Sequence, residues 1–523
     1  MKRVDIYDTT LRDGSQTEGI SFSVEDKIRF TQRLDEMGIP YIEGGWPGSN
    51  PKDKEYFEKI QYIPLKNAIV TAFGSTRRAN LVANKDENLR ALLESKTKAI
   101  TIFGKTWDLH IEEIMDNTLD ENLHMIEDSI QHLKNHGKIV FYDAEHFFDG
   151  YQSNSKYAIS TLQAAVKGGA NALVLCDTNG GSLVSDISKI TKEIKKLFPN
   201  VAIGIHTHND MGLAVANSIV AVEMGATMIQ GTMNGYGERC GNADLISLLP
   251  ILHFKMKKET IPAENFSKLK SLSLFISETS NMPPLPNHPF IGRNAFTHKG
   301  GIHVNAIQKN PKAYEHMEPE LIGNHRRVLV SDLAGKSNIH YKIQELGLLL
   351  NPDSFDTKDL VRQIKHLEQE GYQFDAADGS FKILVEKASR QFTPLFELES
   401  FRVTIEKNEN APCSSRASIK IRVGESTEMT AAEGDGPVSA LDNALRKALA
   451  KFYPNLDEMH LVDFKVRVID GLVGTAAKVR VLIESGDSEN TWTTIGVSND
   501  IIEASWQALA DSFQYKLAKD QKK

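Results

Sequence analysis

From residue 4 to about residue 255 one pattern keeps returning along the chain. A short apolar, β-branched run ends in polar or glycine residues, and a stretch with helical spacing follows it. The runs cover 4–7, 41–43, 68–73, 99–103, 139–141, 172–176, 201–205 and 228–233. The helical stretches between them include 24–37, 109–136, 155–168, 184–198, 213–224 and 244–256. Continuous apolar runs are what parallel strands buried on both faces require, and alternation with helices implies βαβ units. Eight such units in about 250 residues predict a TIM (β/α)8 barrel. A doubly wound open sheet is the alternative; it usually has fewer strands, and no GxGxxG follows the first run.

The pattern changes after about residue 260. Pro283, Pro284, Pro286 and Pro289 cluster, then a glycine- and histidine-rich stretch runs over 290–306. Segments 355–370 and 381–392 have helical spacing, so a linker with helical lid subdomains is expected over 271–392, after a barrel over 1–270. In the last part, 393–523, alternation with a period of two takes over. Ile419, Ile421 and Val423 oppose Lys420 and Arg422, and Phe464, Val466 and Val468 oppose Lys465 and Arg467. These read as half-buried strands. Helices over 437–452 and 500–518 echo each other, with Ala444, Leu445 and Leu449 matched by Ala508, Leu509 and Phe513. Two βββα units would form an α+β domain, a module that is more often regulatory or dimerising than catalytic.

Composition narrows the function classes. The chain has 523 residues, 61 Lys+Arg against 69 Asp+Glu, and a net charge of −8. A mildly acidic, mixed-charge chain carries no electrostatic footprint for nucleic acid or an anionic membrane. No stretch reaches the ~20 apolar residues of a membrane span, and the first thirteen residues do not resemble a signal peptide. Cys176, Cys240 and Cys413 form no CxxC pair, which excludes a disulfide scaffold and a thiolate zinc site. A cytoplasmic protein is expected, and Cys240, with no base beside it in sequence, reads as structural.

Barrel chemistry belongs at the carboxyl ends of the strands. Those ends carry Asp8, Arg12, Asp13, Glu43, Lys105, Asp143, Glu145, Asp177, Thr178, His206, His208, Asn234 and Glu238. Alternation points His206 and His208 the same way, and barrel closure brings Asp13 beside them. Two imidazoles and one carboxylate leave open positions on a divalent ion, as a catalytic site needs. Arg12 beside Asp13 is a planar cation suited to a developing oxyanion, or one half of a plain ion pair. Glu145 could act as a general acid or base, or sit in an ion pair at the rim; the pair with Asp143 is alternatively placed to hold a lysine. The glycine-rich 235–242 loop after the last run suits an anion, or is only a turn.

These residues resemble a family. Leu11-Arg12-Asp13-Gly14-Ser15-Gln16, with Lys27 beyond, is similar to the first signature of the alpha-isopropylmalate and homocitrate synthases. His206-Thr207-His208-Asn209-Asp210-Met211-Gly212-Leu213-Ala214 resembles their second, and Gly237-Glu238-Arg239-Cys240-Gly241-Asn242-Ala243 their GERxGNA loop. Gly434-Asp435-Gly436-Pro437 resembles the approach to a helix in their amino-acid-sensing dimer domain. Within the family, Glu43 to Pro51, with Trp46 where isopropylmalate enzymes tend to carry Phe or another apolar residue, and Asp143 to Gly150 look most like the citramalate synthases.

The resemblance implies a Claisen-type condensation of acetyl-CoA with a 2-oxo acid, pyruvate in the citramalate case, followed by thioester hydrolysis. Asp13, His206 and His208, with Asn242 directly or through a water, would bind Mg, Mn or Zn. Arg12 would stabilise the alkoxide and Thr178 would help hold the substrate carboxylate. His303, with Tyr314, would act on acetyl-CoA, and Glu145 would assist proton transfer. A homodimer and feedback inhibition by a branched-chain amino acid, isoleucine, at the C-terminal domain are also implied. An isopropylmalate or homocitrate synthase, a retro-aldol lyase, and a catalytically dead amino-acid-binding regulator are the competing readings.

Overall fold

The computed structural model describes residues 2–329, 343, 357–374, 377–407, 409, 412–469, 477–488 and 490–521. They fall into two compact units, 1–296 with 318–325, and 297–317 with 326–523.

The first unit is a closed barrel of eight parallel strands: β1 Asp5–Asp8, β2 Tyr41–Gly45, β3 Ile69–Ser75, β4 Ala99–Lys105, β5 Ile139–Glu145, β6 Ala172–Asp177, β7 Ala202–Thr207 and β8 Met228–Gly231. β1 pairs with β2 on one side and β8 on the other, which closes the ring. Each strand is followed by an outer helix: α1 Val24–Met37, α2 Pro51–Ile60, α3 Glu87–Glu94, α4 Leu119–Asn135, α5 Phe147–Gly168, α6 Val184–Leu197, α7 Ala214–Glu223 and α8 Leu245–Pro250. Local chemistry sets these boundaries. Ser23 and Asp26 form a capping box at the start of α1, and Gly38 ends it at φ 86°, where a side chain would also collide with Pro262. The stretch predicted as one helix over 109–136 is two pieces, because Thr118, whose hydroxyl accepts from the Glu121 amide, caps a fresh start at Leu119 after the turn Ile111–Asn117. The predicted helix 155–168 begins earlier, at Phe147, and is interrupted at Asn154 (φ −145°).

Every second strand residue faces the barrel interior. Tyr7, Tyr41, Phe141, Val174 and Met228 fill its lower layer. Above them the Tyr7 hydroxyl donates to Glu43 (2.6 Å) and meets Thr71 (2.8 Å) and Thr101 (2.7 Å). The next residues on that face line a cavity.

The second unit contains α10 Gly301–Lys309, α11 Thr357–Gln369, α12 Asp378–Ala388 and two βββα units; α9 Leu269–Thr279 belongs to the first unit. The first two residues of the predicted helix 355–370 lie outside the described residues. The βββα units comprise β9 Glu397–Glu406, β10 Ser414–Val423, β11 Ser426–Gly434 and α13 Pro437–Leu449, then β12 His460–Val468, β13 Val479–Gly486, β14 Thr491–Ser498 and α14 Ile501–Asp520. Both sheets are antiparallel in simple order. Ala444, Leu445 and Leu449 share one core with Ala508, Leu509 and Phe513, so the echo in the sequence is a packing repeat. One expectation fails here: Val466 and Val468 are exposed, not half-buried. They lie on the sheet-edge strand β12, where the shared core reaches only Phe464. Among the described residues no helix is long and apolar enough to cross a membrane.

Candidate functional site

The cavity at the carboxyl end of the barrel, about 240 Å³, is lined by Arg12, Asp13, Glu145, Thr178, His206 and His208 from the expected set. Asp143, Gln16, Glu238 and Cys176 complete its polar side, and Trp46, Phe73 and Phe103 form an aromatic side.

Asp13, His206 and His208 offer ligand atoms that all lie within 4.8 Å of one another, and all three residues are buried. His206 Nε2 is 3.3 Å from His208 Nε2 and 3.2 Å from Asp13 Oδ2. The tautomer of His206 is set from behind. Asp143 accepts from Gln230 Nε2 (2.8 Å), which turns Gln230 Oε1 to accept from His206 Nδ1 (2.8 Å). Nε2 is thereby left to present its lone pair to the cluster. Asn242 Nδ2 donates to Asp13 Oδ2 (3.0 Å), while Asn242 Oδ1 and His208 Nδ1 are buried without a hydrogen-bond partner. A side chain at Gly237 would strike Asn242 Oδ1 at 1.8 Å, so only glycine admits this amide. A half-turn of the amide would bring Oδ1 in among the ligand atoms. Two imidazoles, a carboxylate and an amide, converging where protein hydrogen bonds leave donor and acceptor capacity unused, fit a divalent cation.

Electrostatics favour that arrangement at Asp13 and His208 and set a competition at His206. Against burial, Asp13 raises His206 above its usual range, so a cation must compete with a proton for Nε2. Burial opposes ionisation of Asp13, but Arg12 and His206 outweigh it and hold the carboxyl well below its usual range. Burial, reinforced by His206, lowers His208 to about 4, which keeps it neutral and able to coordinate. Burial pushes Asp143 up to about 7.

Arg12 is not a solvated ion pair. Its Nε donates to buried Glu43 (2.6 Å), itself fixed by the Tyr7 and Thr9 hydroxyls, and its guanidinium lies 3.7 Å from the centroid of the Phe73 ring. Glu145 is paired with Lys105 at 2.5 Å, its register partner across β4 and β5; Asp143, bonded to Gln230, holds no lysine among the described residues. Thr178 Oγ1 accepts from the His146 amide (2.9 Å). Arg239 joins three rim loops, donating to both Asp210 carboxylate oxygens (2.7 and 3.0 Å) and to the Thr178 carbonyl (2.8 Å).

Other polar strand ends serve the scaffold. Asp8 accepts from Thr10, Asp177 from Ser182, and Asn234 bonds Ser273 and Ser277. Cys240 is exposed, not structural, whereas Cys176 is buried at the cavity wall. Lys27 pairs with Asp53, which accepts from the Trp46 amide (2.8 Å) and so holds the loop after β2. His303 and Tyr314 belong to the second unit, where their rings stack with centroids 4.2 Å apart; Glu315, next in sequence, binds His298 (3.1 Å) and Arg326 (2.5 Å). Residue-type reasoning missed Gln230, Phe73 and Phe103; position on the inward face of a strand was the available signal.

The HMGL-like family matches residues 3–276, the homocitrate synthase post-HMGL domain-like family 290–372, and the LeuA allosteric (dimerisation) domain 375–517. The (R)-citramalate synthase of Geobacter sulfurreducens is 52% identical over 522 residues, covering 100% of this chain and 99% of its own. This chain belongs to the family of the isopropylmalate, homocitrate and citramalate synthases. The (R)-citramalate synthase of Aquifex aeolicus is 51% identical over 99% of both chains, and the 2-isopropylmalate synthase of Methanocaldococcus jannaschii 32% over 99% of this chain and 96% of its own. Within the family the chain is most similar to the citramalate synthases, as Trp46 and the 143–150 stretch suggested.

Proposed function

We propose that this chain is a transferase that condenses acetyl-CoA with pyruvate and hydrolyses the thioester, giving (R)-citramalate and CoA. End-to-end identity to (R)-citramalate synthases carries the reading, and the convergence of Asp13, His206 and His208 in the barrel cavity supports it. Asp13, His206 and His208, with Asn242, would hold a divalent ion, Mg, Mn or Zn by the mix of imidazole and oxygen donors. Such an ion supplies Lewis-acid polarisation of a ketone.

The chain's own residues do the remaining work. Arg12, rigid between Glu43 and Phe73, faces the keto oxygen and stabilises the negative charge that develops there. Thr178 holds the substrate carboxylate through its hydroxyl hydrogen, since its oxygen already accepts from His146. A thioester methyl is a weak carbon acid, so a positioned base is needed. His303, oriented by its stack on Tyr314, takes that role, and Glu145, kept beside Lys105, assists proton transfer. The new carbon–carbon bond forms between the methyl carbon and the keto carbon, the keto oxygen takes up a proton, and water cleaves the thioester.

Catalysis is assigned to 1–270, the lid to 271–392 and sensing to 393–523, with isoleucine as effector, in a cytoplasmic homodimer. CoA release measured with pyruvate, 2-oxobutyrate, 2-oxoisovalerate and 2-oxoglutarate tests the reading. Pyruvate should give the highest kcat/KM; preference for 2-oxoisovalerate or 2-oxoglutarate would instead indicate an isopropylmalate or homocitrate synthase.

A further inference from the structure

The aromatic side of the cavity is built from two directions. Phe73 and Phe103 rise from the inward face of β3 and β4 and stack with centroids 5.5 Å apart. Trp46 comes from the end of β2 and meets both edge-on, at 5.8 and 5.7 Å. The rest of the lining is polar, with the weakly polar Cys176 thiol among it. A small 2-oxo acid whose carboxylate and keto oxygens face the metal-ligand cluster and Arg12 must therefore turn its alkyl end toward this wall, because burying it against carboxylates and imidazoles would desolvate them without compensation.

Phe73 and Phe103 are anchored by their strands. Trp46 is not: it lies beyond the strand end, and its side chain is positioned by one polar contact. The indole Nε1 donates to Asn88 Oδ1 at 2.7 Å, and Asn88 Nδ2 donates to the Ser75 carbonyl at 2.8 Å. Asn88 is on outer helix α3, behind the wall and outside the cavity lining. Helix α3 is itself registered by Asp86, which accepts from Leu89 (3.0 Å) and from Arg78 (2.9 Å). Two glycines clear a slot for the amide. A Cβ at Gly74 would come within 2.9 Å of Asn88 Oδ1, and one at Gly48 within 3.3 Å of the same atom.

We propose that Asn88 is a positioning residue for substrate selection: by fixing the Trp46 indole it sets the depth of the alkyl subsite, so that pyruvate fits and 2-oxo acids with longer side chains do not. The inference rests on the reading of the cavity as a 2-oxo acid site. An indole held at its Nε1 cannot swing out to make room for another methylene. Released, it can. Discrimination of a single methylene in an apolar pocket is worth about 10–200-fold, and that is the quantity Asn88 controls.

The test is the ratio of kcat/KM for pyruvate to that for 2-oxobutyrate, measured by CoA release on the full-length enzyme. Asn88→Leu should lower the ratio about tenfold by raising relative use of 2-oxobutyrate. Trp46→Phe, which removes the indole N–H without touching α3, should lower it in the same direction, and the double variant should add little to either single one. A purely structural role predicts equal losses for both substrates and an unchanged ratio, which would overturn the proposal. If Asn88→Leu does not fold, Trp46→Phe alone decides, and an unchanged ratio there is equally fatal. No CoA release by the unmodified chain with any 2-oxo acid would remove the substrate reading itself, an outcome distinct from an unchanged ratio.

Discussion

The barrel cavity and the paired βββα units treat polar groups in opposite ways. In the cavity, charges are buried or half-buried and each is turned by a neighbour: Arg12 by Glu43, His206 by Gln230, Glu145 by Lys105. In the βββα units charges stay outside, as in the exposed pairs of Arg416 with Glu433 and Lys420 with Glu399, while alanine, leucine and isoleucine fill the shared core. Buried, oriented polar groups cost stability and return chemistry. An apolar core with an uncovered sheet edge is a surface for assembly, in keeping with the LeuA dimerisation match over 375–517.

That contrast can be broken most sharply at Asp13. Asp13→Asn should reduce kcat/KM by about 10³-fold or more, several kcal/mol of transition-state stabilisation, with an unchanged circular dichroism spectrum. Turnover within a few-fold of the parent would sink the ligand assignment. One layer further out, Gln230→Leu frees the His206 tautomer, and divalent-ion affinity by titration calorimetry should weaken about 10–100-fold. Unaltered affinity would mean that the Asp143–Gln230–His206 chain is mere packing.

In the other region, Val466→Glu with Val468→Glu places charge on an exposed apolar strand edge. Sedimentation velocity should show a shift toward the lighter species at micromolar concentration; no shift would place the interface elsewhere. The smallest effect concerns a scaffold carboxyl. Burial raises Asp8 to about 7 in the folded chain, against the Thr10 hydrogen bonds. Between pH 4 and 7 the folded state therefore holds a proton that the unfolded state has released, so this group's contribution to stability falls as pH rises through that window and levels off above 7. The stability of the parent relative to Asp8→Asn, from urea unfolding, should fall by a few kcal/mol, order of magnitude, from pH 4 to pH 7. A difference independent of pH would show that Asp8 stays ionised.

Much of this molecule is written in local pattern. Eight apolar runs and the helices between them are the barrel, since the hydrophobic effect acts on periodicity that any window of residues displays. His206 and His208 stand out as a candidate ligand pair because alternation alone puts them on one face. The echo of Ala444, Leu445 and Leu449 in Ala508, Leu509 and Phe513 announced two copies of one unit before their common core was visible.

Tertiary structure decided the rest. Strands buried on both faces are apolar on both, so composition does not say that Phe73 and Phe103 face the cavity while Ala72 and Ile102 face helices. Only closure of the ring, with β1 between β2 and β8, brings Asp13 to His206 and Asn242 across more than 190 residues of chain. Gln230 and Asn88 look like ordinary amides in sequence. Their meaning lies in what their donors and acceptors face, and hydrogen bonds between residues far apart leave no period to read. Val466 and Val468 show the converse: a flawless half-buried pattern, placed on a sheet-edge strand that no core residue among the described residues covers.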